Sequence, residues 1–381
     1  MSKLVVLGCG LVGSAMARDL AGEPDLSVSV ADANADALAA ISAKAPVQTR
    51  RADLSDPNAI AEAIAGADAV VGALPGRLGH AMLEAVIRAG RPIADISFSP
   101  QDPLSLDALA RERGVTAIVD CGVSPGLSNL AVGLAAAELA RVEDVEILVG
   151  GLPEDRSRPG GYAIVFSAAD VIEEYTRPAR VVEDGRVETR RPLSDIETFE
   201  VAGIGRLEGF LTDGLRTLLA TVPATRMREK TLRYPGHAAA MEQMRDCGFF
   251  AEDPVKIGAM SIVPRDLSIG LLGRAWALRQ GERELTYMRV TVAGTKPDGA
   301  RARRRFELLD RTDPESGMTS MARTTGFPCA AMAAALARGQ YRHPGVHAPE
   351  VLGGDPATAA ALLERLKRRG IRWTDTTAGL P

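Results

Sequence analysis

The chain has 381 residues, 46% of them hydrophobic and 25% charged, which suits a soluble globular protein of two domains. A formal net charge of −4 gives no footing for nucleic-acid binding, which needs a basic face. No stretch approaches the ~18 apolar residues of a membrane span, and the apolar start lacks the basic flank and cleavage site of a signal peptide, so a cytoplasmic protein without a membrane partner is expected.

Taken in chain order, Leu4-Val5-Val6-Leu7 reads as a short buried strand running into Gly8-Cys9-Gly10-Leu11-Val12-Gly13, a GxGxxG loop that opens a helix. Gly8 makes the tight turn, Gly10 lets a pyrophosphate approach the backbone, and Gly13 allows close helix–strand packing. A second strand, Ser27–Ala31, ends in Asp32, nineteen residues past Gly13. An acidic residue there accepts hydrogen bonds from both ribose hydroxyls and repels a 2′-phosphate. Only Ala33 and Asn34 follow it, so NAD is expected and NADP is less favoured. Further strands are expected at Val47–Arg51, Ala69–Leu74, Pro92–Ile96 and Ala117–Val119, with helices over Ala33–Ala43 and Pro57–Ala65 between them. This alternation predicts an α/β Rossmann domain with a doubly wound parallel sheet over residues 1–125. Ligands bind beyond the carboxyl ends of such strands, which singles out Asp32, Asp53, Leu74-Pro75, Asp95 and Asp120.

The crossover Asp120-Cys121-Gly122-Val123-Ser124-Pro125-Gly126 leaves the last of these strands. Asp120 is a carboxylate for acid–base work or for gripping an ammonium, or else it caps the turn. Cys121 has no neighbouring His and reads as a small buried residue. The four cysteines, Cys9, Cys121, Cys247 and Cys329, are scattered without metal-ligand spacing, so reduced thiols and no metal are expected. His80 could sit over a nicotinamide or simply start a helix.

Beyond Pro125-Gly126 strands follow strands: Val145–Val149, a hairpin over Ala179–Arg191 turning at Asp184-Gly185, then Leu207–Leu211, Thr231–Tyr234, Thr286–Ala293 and Arg303–Leu309. Helices are expected at Gly214–Ala220 and His237–Cys247. Residues 126–318 therefore read as an α+β substrate and dimerisation domain with a mostly antiparallel sheet. In it, Arg233-Tyr234-Pro235-Gly236-His237 closes a strand and opens a helix. Arg233 can bind a carboxylate and His237 titrates near neutrality, a candidate proton shuttle. Arg301, Arg303, Arg304 and Arg305 read as a solvated edge or an intersubunit face, while His343 and His347 look like loop residues. Residues 319–381, with an apolar helix from Ser320 and another over Pro356–Arg369, are expected to pack back on the first domain.

Together, Gly8–Gly13, Asp32, Asp120–Gly126 and Arg233–His237 resemble the saccharopine dehydrogenase-like family, most closely its bacterial L-lysine 6-dehydrogenase branch. The resemblance runs through Val149–Pro153, Phe166-Ser167, Glu173–Ala179, Leu207–Phe210, Lys230–His237 and Met321–Thr325. It implies NAD-dependent oxidation of a carbon bearing an amine, in a homodimer or higher oligomer, with an amino acid or amine as substrate. Asp120 falls to the amine side and Arg233, with Tyr234, to the α-carboxylate; His237, Thr324 and Thr325 follow, the two threonines on the cofactor side. Two stretches depart from the lysine enzymes, Asp95–Pro100 and Thr212-Asp213-Gly214-Leu215, and these are expected to line the substrate pocket. The expected activity is oxidative deamination of the ε-amine of lysine or a relative, with Asp120, Asp95 or His237 as the proton acceptor. The alternatives are a saccharopine- or carboxynorspermidine-type imine reductase and a non-catalytic NAD-sensing protein.

Overall fold

The structure, a computed structural model, describes residues 1–279 and 281–379. Its strands in chain order are β1 Ser2–Leu7, β2 Leu26–Asp32, β3 Gln48–Arg51, β4 Ala69–Gly72, β5 Ile93–Asp95, β6 Thr116–Ile118, β7 Arg141–Pro153, β8 Ala179–Glu183 and β9 Arg186–Arg190. They continue as β10 Glu197–Val201, β11 Gly205–Leu211, β12 Ala224–Arg233, β13 Val255–Ile257, β14 Met260–Ile262, β15 Glu284–Thr295, β16 Arg301–Arg311, β17 Gly345–His347 and β18 Thr374–Gly379. The chain divides into two compact units. The first holds Met1–Glu138, Arg216–Thr221 and Met321–Arg372; the second holds Leu139–Leu215, Val222–Ser320 and Trp373–Pro381.

The first unit is the doubly wound sheet that the alternation of elements predicts. Its strands run in the order β17-β6-β5-β4-β1-β2-β3, all pairs parallel. The order reverses between β1 and β4, the switch point at which such sheets bind ligands. Leu4, Leu7, Val28, Val30, Val70 and Ile93 fill its middle, as expected of strands covered on both faces. The helix Ser320–Ala337 packs on the helix Leu11–Ala21 so closely that a Cβ on Gly326 would stand 2.9 Å from Met16 Cγ. Arg338 bridges Glu23 and Asp25, and Arg369 bridges Asp19 and Glu23, fastening this return to the edge of the unit.

The unit extends past residue 125 for a packing reason. The helix Leu127–Ala136 lies against Pro349–Gly353, where a Cβ on Gly133 would meet Glu350 O at 2.0 Å. Arg216–Thr221 joins it as well, and the helix expected over Gly214–Ala220 shrinks to Leu218–Thr221.

The second unit is a mixed sheet in the order β10-β11-β12-β7-β15-β16-β18, with the β8–β9 hairpin attached through β12. Only β12 and β7 run parallel; the other pairs in this sheet are antiparallel. The hairpin turns at Asp184 and Gly185, both at positive φ (48° and 75°), the left-handed pair a tight two-residue turn requires. One face buries Leu148, Leu152, Leu207, Leu232, Tyr234 and Tyr287. The other is covered by the helices Ala168–Thr176, His237–Asp246 and Pro264–Ala275 through Tyr162, Tyr175, Phe210 and Trp276. The arginine run 301–305 lies on β16, which β18 covers, so it is not an edge, and Arg301 and Arg304 are paired to Glu143 and Asp375. Among the described residues no helix is long and apolar enough to cross a membrane.

Candidate active site

The glycine loop has the form its spacing predicts. Gly8 sits at φ 107°, and a Cβ there would stand 2.5 Å from Ala73 O. A Cβ on Gly13 would stand 2.2 Å from Gly8 O, so both positions exclude any side chain. Gly10 differs. Nothing lies within 4 Å of where its Cβ would be, and it caps the helix Leu11–Ala21 with no side-chain hydrogen bond. The first-turn N–H groups therefore face open space beside exposed Gly10 and Leu11, a fit for a pyrophosphate. Val12 is buried, and Leu74 packs against Gly8 beside exposed Pro75. Asp32 ties the loop to β2: its carboxylate accepts from Cys9 N at 2.6 Å and Asn34 N at 2.7 Å. The Asp53 carboxylate is folded back on Ser55 N and Oγ.

Beyond β5 and β6 the first unit gathers two buried carboxyls. Asp95 accepts from Ser97 N (3.0 Å) and Ser97 Oγ (2.8 Å), and its backbone oxygen accepts from Cys121 N. Burial, reinforced by the charge of Asp120 and opposed by Ser97 and Arg216, pushes the Asp95 carboxyl up to about 6. A Cβ on Gly72 would collide with Asp95 Oδ1 at 2.3 Å, so the glycine of β4 makes the room this carboxyl occupies. Asp120 sits at φ 51° and faces Arg216, itself at φ 52°. The guanidinium donates Nε and Nη2 to the two carboxylate oxygens at 3.2 Å each, donates Nη1 to Ser99 O, and stacks on Phe98 at 4.9 Å. Both side chains are at most 3% exposed. Thr217 and Thr221 hold the segment behind Arg216, through Asn129 Nδ2 and Glu350 Oε1. Thr325 lies against the same crossover, its Cγ2 3.2 Å from where a Cβ on Gly122 would be, and Thr324 is fully buried one residue earlier. Cys121 is buried, as its sequence setting suggests.

The second unit buries a polar layer on the helix-covered face of its sheet. Alternation places Glu229, Thr231 and Arg233 of β12 on one side, and the register aligns Thr286 of β15 with them. Arg233, 2% exposed, donates Nη2 to Glu174 Oε2 at 2.5 Å and Nη1 to Leu232 O at 2.9 Å, with its guanidinium 4.4 Å from the Tyr162 ring. Burial works against charging Arg233, but the Glu174 carboxylate outweighs it and holds the guanidinium charged. Burial pushes the Glu174 carboxyl up despite Arg233. Glu229 accepts from Thr212 Oγ1 at 2.5 Å, and burial raises its carboxyl to about 8 against that hydrogen bond. Among the described residues Arg233 Nε and Thr286 Oγ1 have no hydrogen-bond partner.

His237 joins this cluster in a role its residue type does not suggest. Nδ1 lies 2.8 Å from Gly160 O, which makes it the donor and leaves Nε2 to accept from Tyr175 OH at 2.8 Å. Burial and the nearby Arg233 charge lower the imidazole to about 3, so it stays neutral and does not titrate near pH 7. Tyr234 parts from its neighbour: alternation turns it to the opposite face, where its hydroxyl donates to Pro153 O and Arg156 lies over its ring. Asp213 is held by Arg180 in a two-pronged pair at 2.8 and 2.9 Å, while Thr212 bonds Thr231 within the layer and Gly214 lies against Glu229. His80 bonds Ser105, and His347 bonds His343 O.

Comparison with known proteins decides what this pair of units is. A family model for the saccharopine dehydrogenase NADP binding domain matches residues 4–118, and one for the saccharopine dehydrogenase C-terminal domain matches residues 122–371. The chain belongs to the saccharopine dehydrogenase family. It is therefore an oxidoreductase of the family that acts on CH–NH groups. It is similar along its length to the Schizosaccharomyces pombe saccharopine dehydrogenase [NADP(+), L-glutamate-forming], 22% identical over 447 aligned positions covering 98% of each chain. The Saccharomyces cerevisiae protein of the same name is 27% identical over 49% of this chain and 43% of its own. The solved apo structure of the L-Glu-forming saccharopine dehydrogenase from S. cerevisiae superposes with a TM-score of 0.81 at 20% identity, covering 99% of this chain and 100% of that one, which establishes the shared fold.

The family corrects the expected cofactor. The matched domain is the NADP binding one, and the similar proteins carry NADP(+) in their names, so the preference for NAD drawn from Asp32 is overturned. Asp32 is followed in the chain only by Ala33 and Asn34, but a cation can arrive from the neighbouring strand: β3 pairs Arg51 with Asp32. Sequence reasoning also missed Arg216, Glu174, Tyr162, Tyr175 and Glu229. The Glu174-Tyr175 pair lies within a stretch that carries the family resemblance, which was the available signal.

Proposed function

We propose that this protein is an NADP(H)-linked oxidoreductase acting at a carbon–nitrogen bond of a lysine-derived amino acid, with saccharopine and its release of L-glutamate as the leading reading. The observation that carries it is the end-to-end match of both halves of the chain to the two saccharopine dehydrogenase domains. Gly8, Gly10 and Gly13 would hold the dinucleotide at the open start of the helix Leu11–Ala21. Bound there, it exchanges a hydride with the carbon that bears nitrogen. Arg233 is the chain's group for a substrate carboxylate, and its partner Glu174 is the group for an ammonium. In the first unit Asp120 is neutralised by Arg216, which leaves Asp95 as the carboxyl able to take and return a proton near pH 6.

Oxidative deamination of lysine's own ε-amine is the second reading, and one observation favours it. The polar layer sets the Arg233 guanidinium beside the Glu174 carboxyl, a match for one carboxylate and one ammonium rather than for several carboxylates. Three assays separate the readings: NADP(+) reduction with saccharopine, NADP(+) reduction with lysine alone, and NADPH oxidation with L-glutamate plus the semialdehyde. Turnover of saccharopine supports the leading reading and turnover of lysine alone the second. Dinucleotide binding with no turnover in any of the three would refute both.

A further inference from the structure

The first unit contains a feature that bears on which dinucleotide it accepts. β2 ends in Asp32, and the parallel register lays Arg51, the last residue of β3, directly beside it. The two basic residues of that strand end face opposite ways, as neighbours in a strand must. Arg50 is used up: Nη1 donates to Glu62 O at 2.8 Å and Nη2 to Glu62 Oε2 at 2.7 Å. Arg51 is held at its near end only, Nε donating to Ala33 O at 3.3 Å. It forms no ion pair among the described residues, and its exposed terminal nitrogens are left to donate over the corner formed by Asp32, Ala33 and Asn34.

The rest of that corner is already committed. Asn34 Oδ1 accepts from Asp36 N and Ala37 N, capping the next helix. Each oxygen of Asp32 accepts a backbone N–H, which draws the carboxylate toward the glycine loop and offsets part of its charge. The cationic group at that corner with donors to spare is the planar guanidinium of Arg51, whose fork matches two phosphate oxygens at once. It stands one strand over from the acidic residue that ordinarily meets the adenosine ribose.

We infer that Arg51 is the specificity-determining residue for the dinucleotide, its terminal nitrogens clamping the 2′-phosphate of the adenosine ribose alongside Asp32. The inference rests on the dinucleotide-binding part of the function proposed above and is independent of the amine substrate. That independence also decides the test, which is binding rather than turnover.

Calorimetric titration of the full-length protein with adenosine 2′,5′-bisphosphate and with 5′-AMP reads the clamp directly. The wild type should bind the bisphosphate at least tenfold more tightly. Arg51→Ala should lose that advantage, leave 5′-AMP affinity unchanged and, because the side chain is exposed, melt at the wild-type temperature. Arg50→Ala should keep the advantage. The inference is overturned if the wild type binds both probes equally, or if Arg51→Ala retains the preference. Arg51→Lys, which keeps the charge and loses the fork, should retain only part of it.

Discussion

Glu229 offers a quantitative check on the buried polar layer. Burial lifts its carboxyl from an ordinary value of 4.5 to about 8. Between those two pH values the unfolded chain releases the proton while the folded chain keeps it. The folded state then binds more protons, so stability falls as pH rises through the window and levels off above it. At about 1.4 kcal/mol per pH unit the ceiling on this loss is close to 5 kcal/mol; relaxation and water entry should leave about half of it. Glu229→Gln keeps the shape, still accepts from Thr212 Oγ1, and has no proton to lose. Urea unfolding of both proteins at pH 5 and pH 8.5 measures the difference. The two should be within about 1 kcal/mol of each other at pH 5, while at pH 8.5 the glutamine variant should be more stable by roughly 2–3 kcal/mol. An equal stability difference at both pH values would show that Glu229 ionises in the folded protein as it does in water, and the account of the layer would fail.

Arg216→Met should cost about 3–5 kcal/mol by urea unfolding, because it leaves the Asp120 charge buried and alone, and adding Asp120→Asn should restore most of the loss; a cost under about 1 kcal/mol for the single variant would refute the pairing. The glycine loop should split by function: Gly13→Ala, with backbone 2.2 Å from its Cβ, should lower the melting temperature, whereas Gly10→Ala should melt normally and lose NADPH affinity in a fluorescence titration. With Asp95 as proton acceptor, kcat/KM should rise through pH 6 in the wild type, and that limb should be missing from the pH profile of Asp95→Asn.

The first unit was legible because its signals are local. A glycine with no room for a Cβ and an apolar run bounded by polar turns appear within a few residues of each other. The short strands of the second unit carry weaker signals. β18 is wholly exposed and polar and lacks the alternation that marks a half-buried strand, and β10 turns only Phe199 and Val201 toward the core. Arg216 shows why site residues are harder still. Nothing around it in sequence suggests burial; its environment is made by Asp120, Ser99 and Phe98, roughly a hundred residues away along the chain. Asp32 and Arg51 repeat the lesson over a shorter distance, since their pairing is a matter of strand register. His237 was found for its residue type, but its chemistry is set by Tyr175, Gly160 and Arg233, which the sequence does not bring to it.

The Arg233–Glu174 pair also constrains what the second unit can accept. A substrate carrying only a carboxylate would have to take Arg233 from Glu174, leaving a buried carboxylate without its partner, a loss of several kcal/mol. A substrate carrying only an amine would leave the guanidinium alone in the same way. An amino acid head group does neither: its carboxylate can take the guanidinium while its ammonium takes Glu174, so both buried charges stay paired throughout the exchange. The unpartnered Arg233 Nε adds a donor for the incoming carboxylate that Glu174 does not use. With the substrate head group at this pair, as proposed above, the internal ion pair would select for a zwitterion before any contact with the rest of the substrate is made. A common amino acid head group is what saccharopine and lysine share, so on the proposed reading discrimination between them would come from the far end of the molecule, not from Arg233.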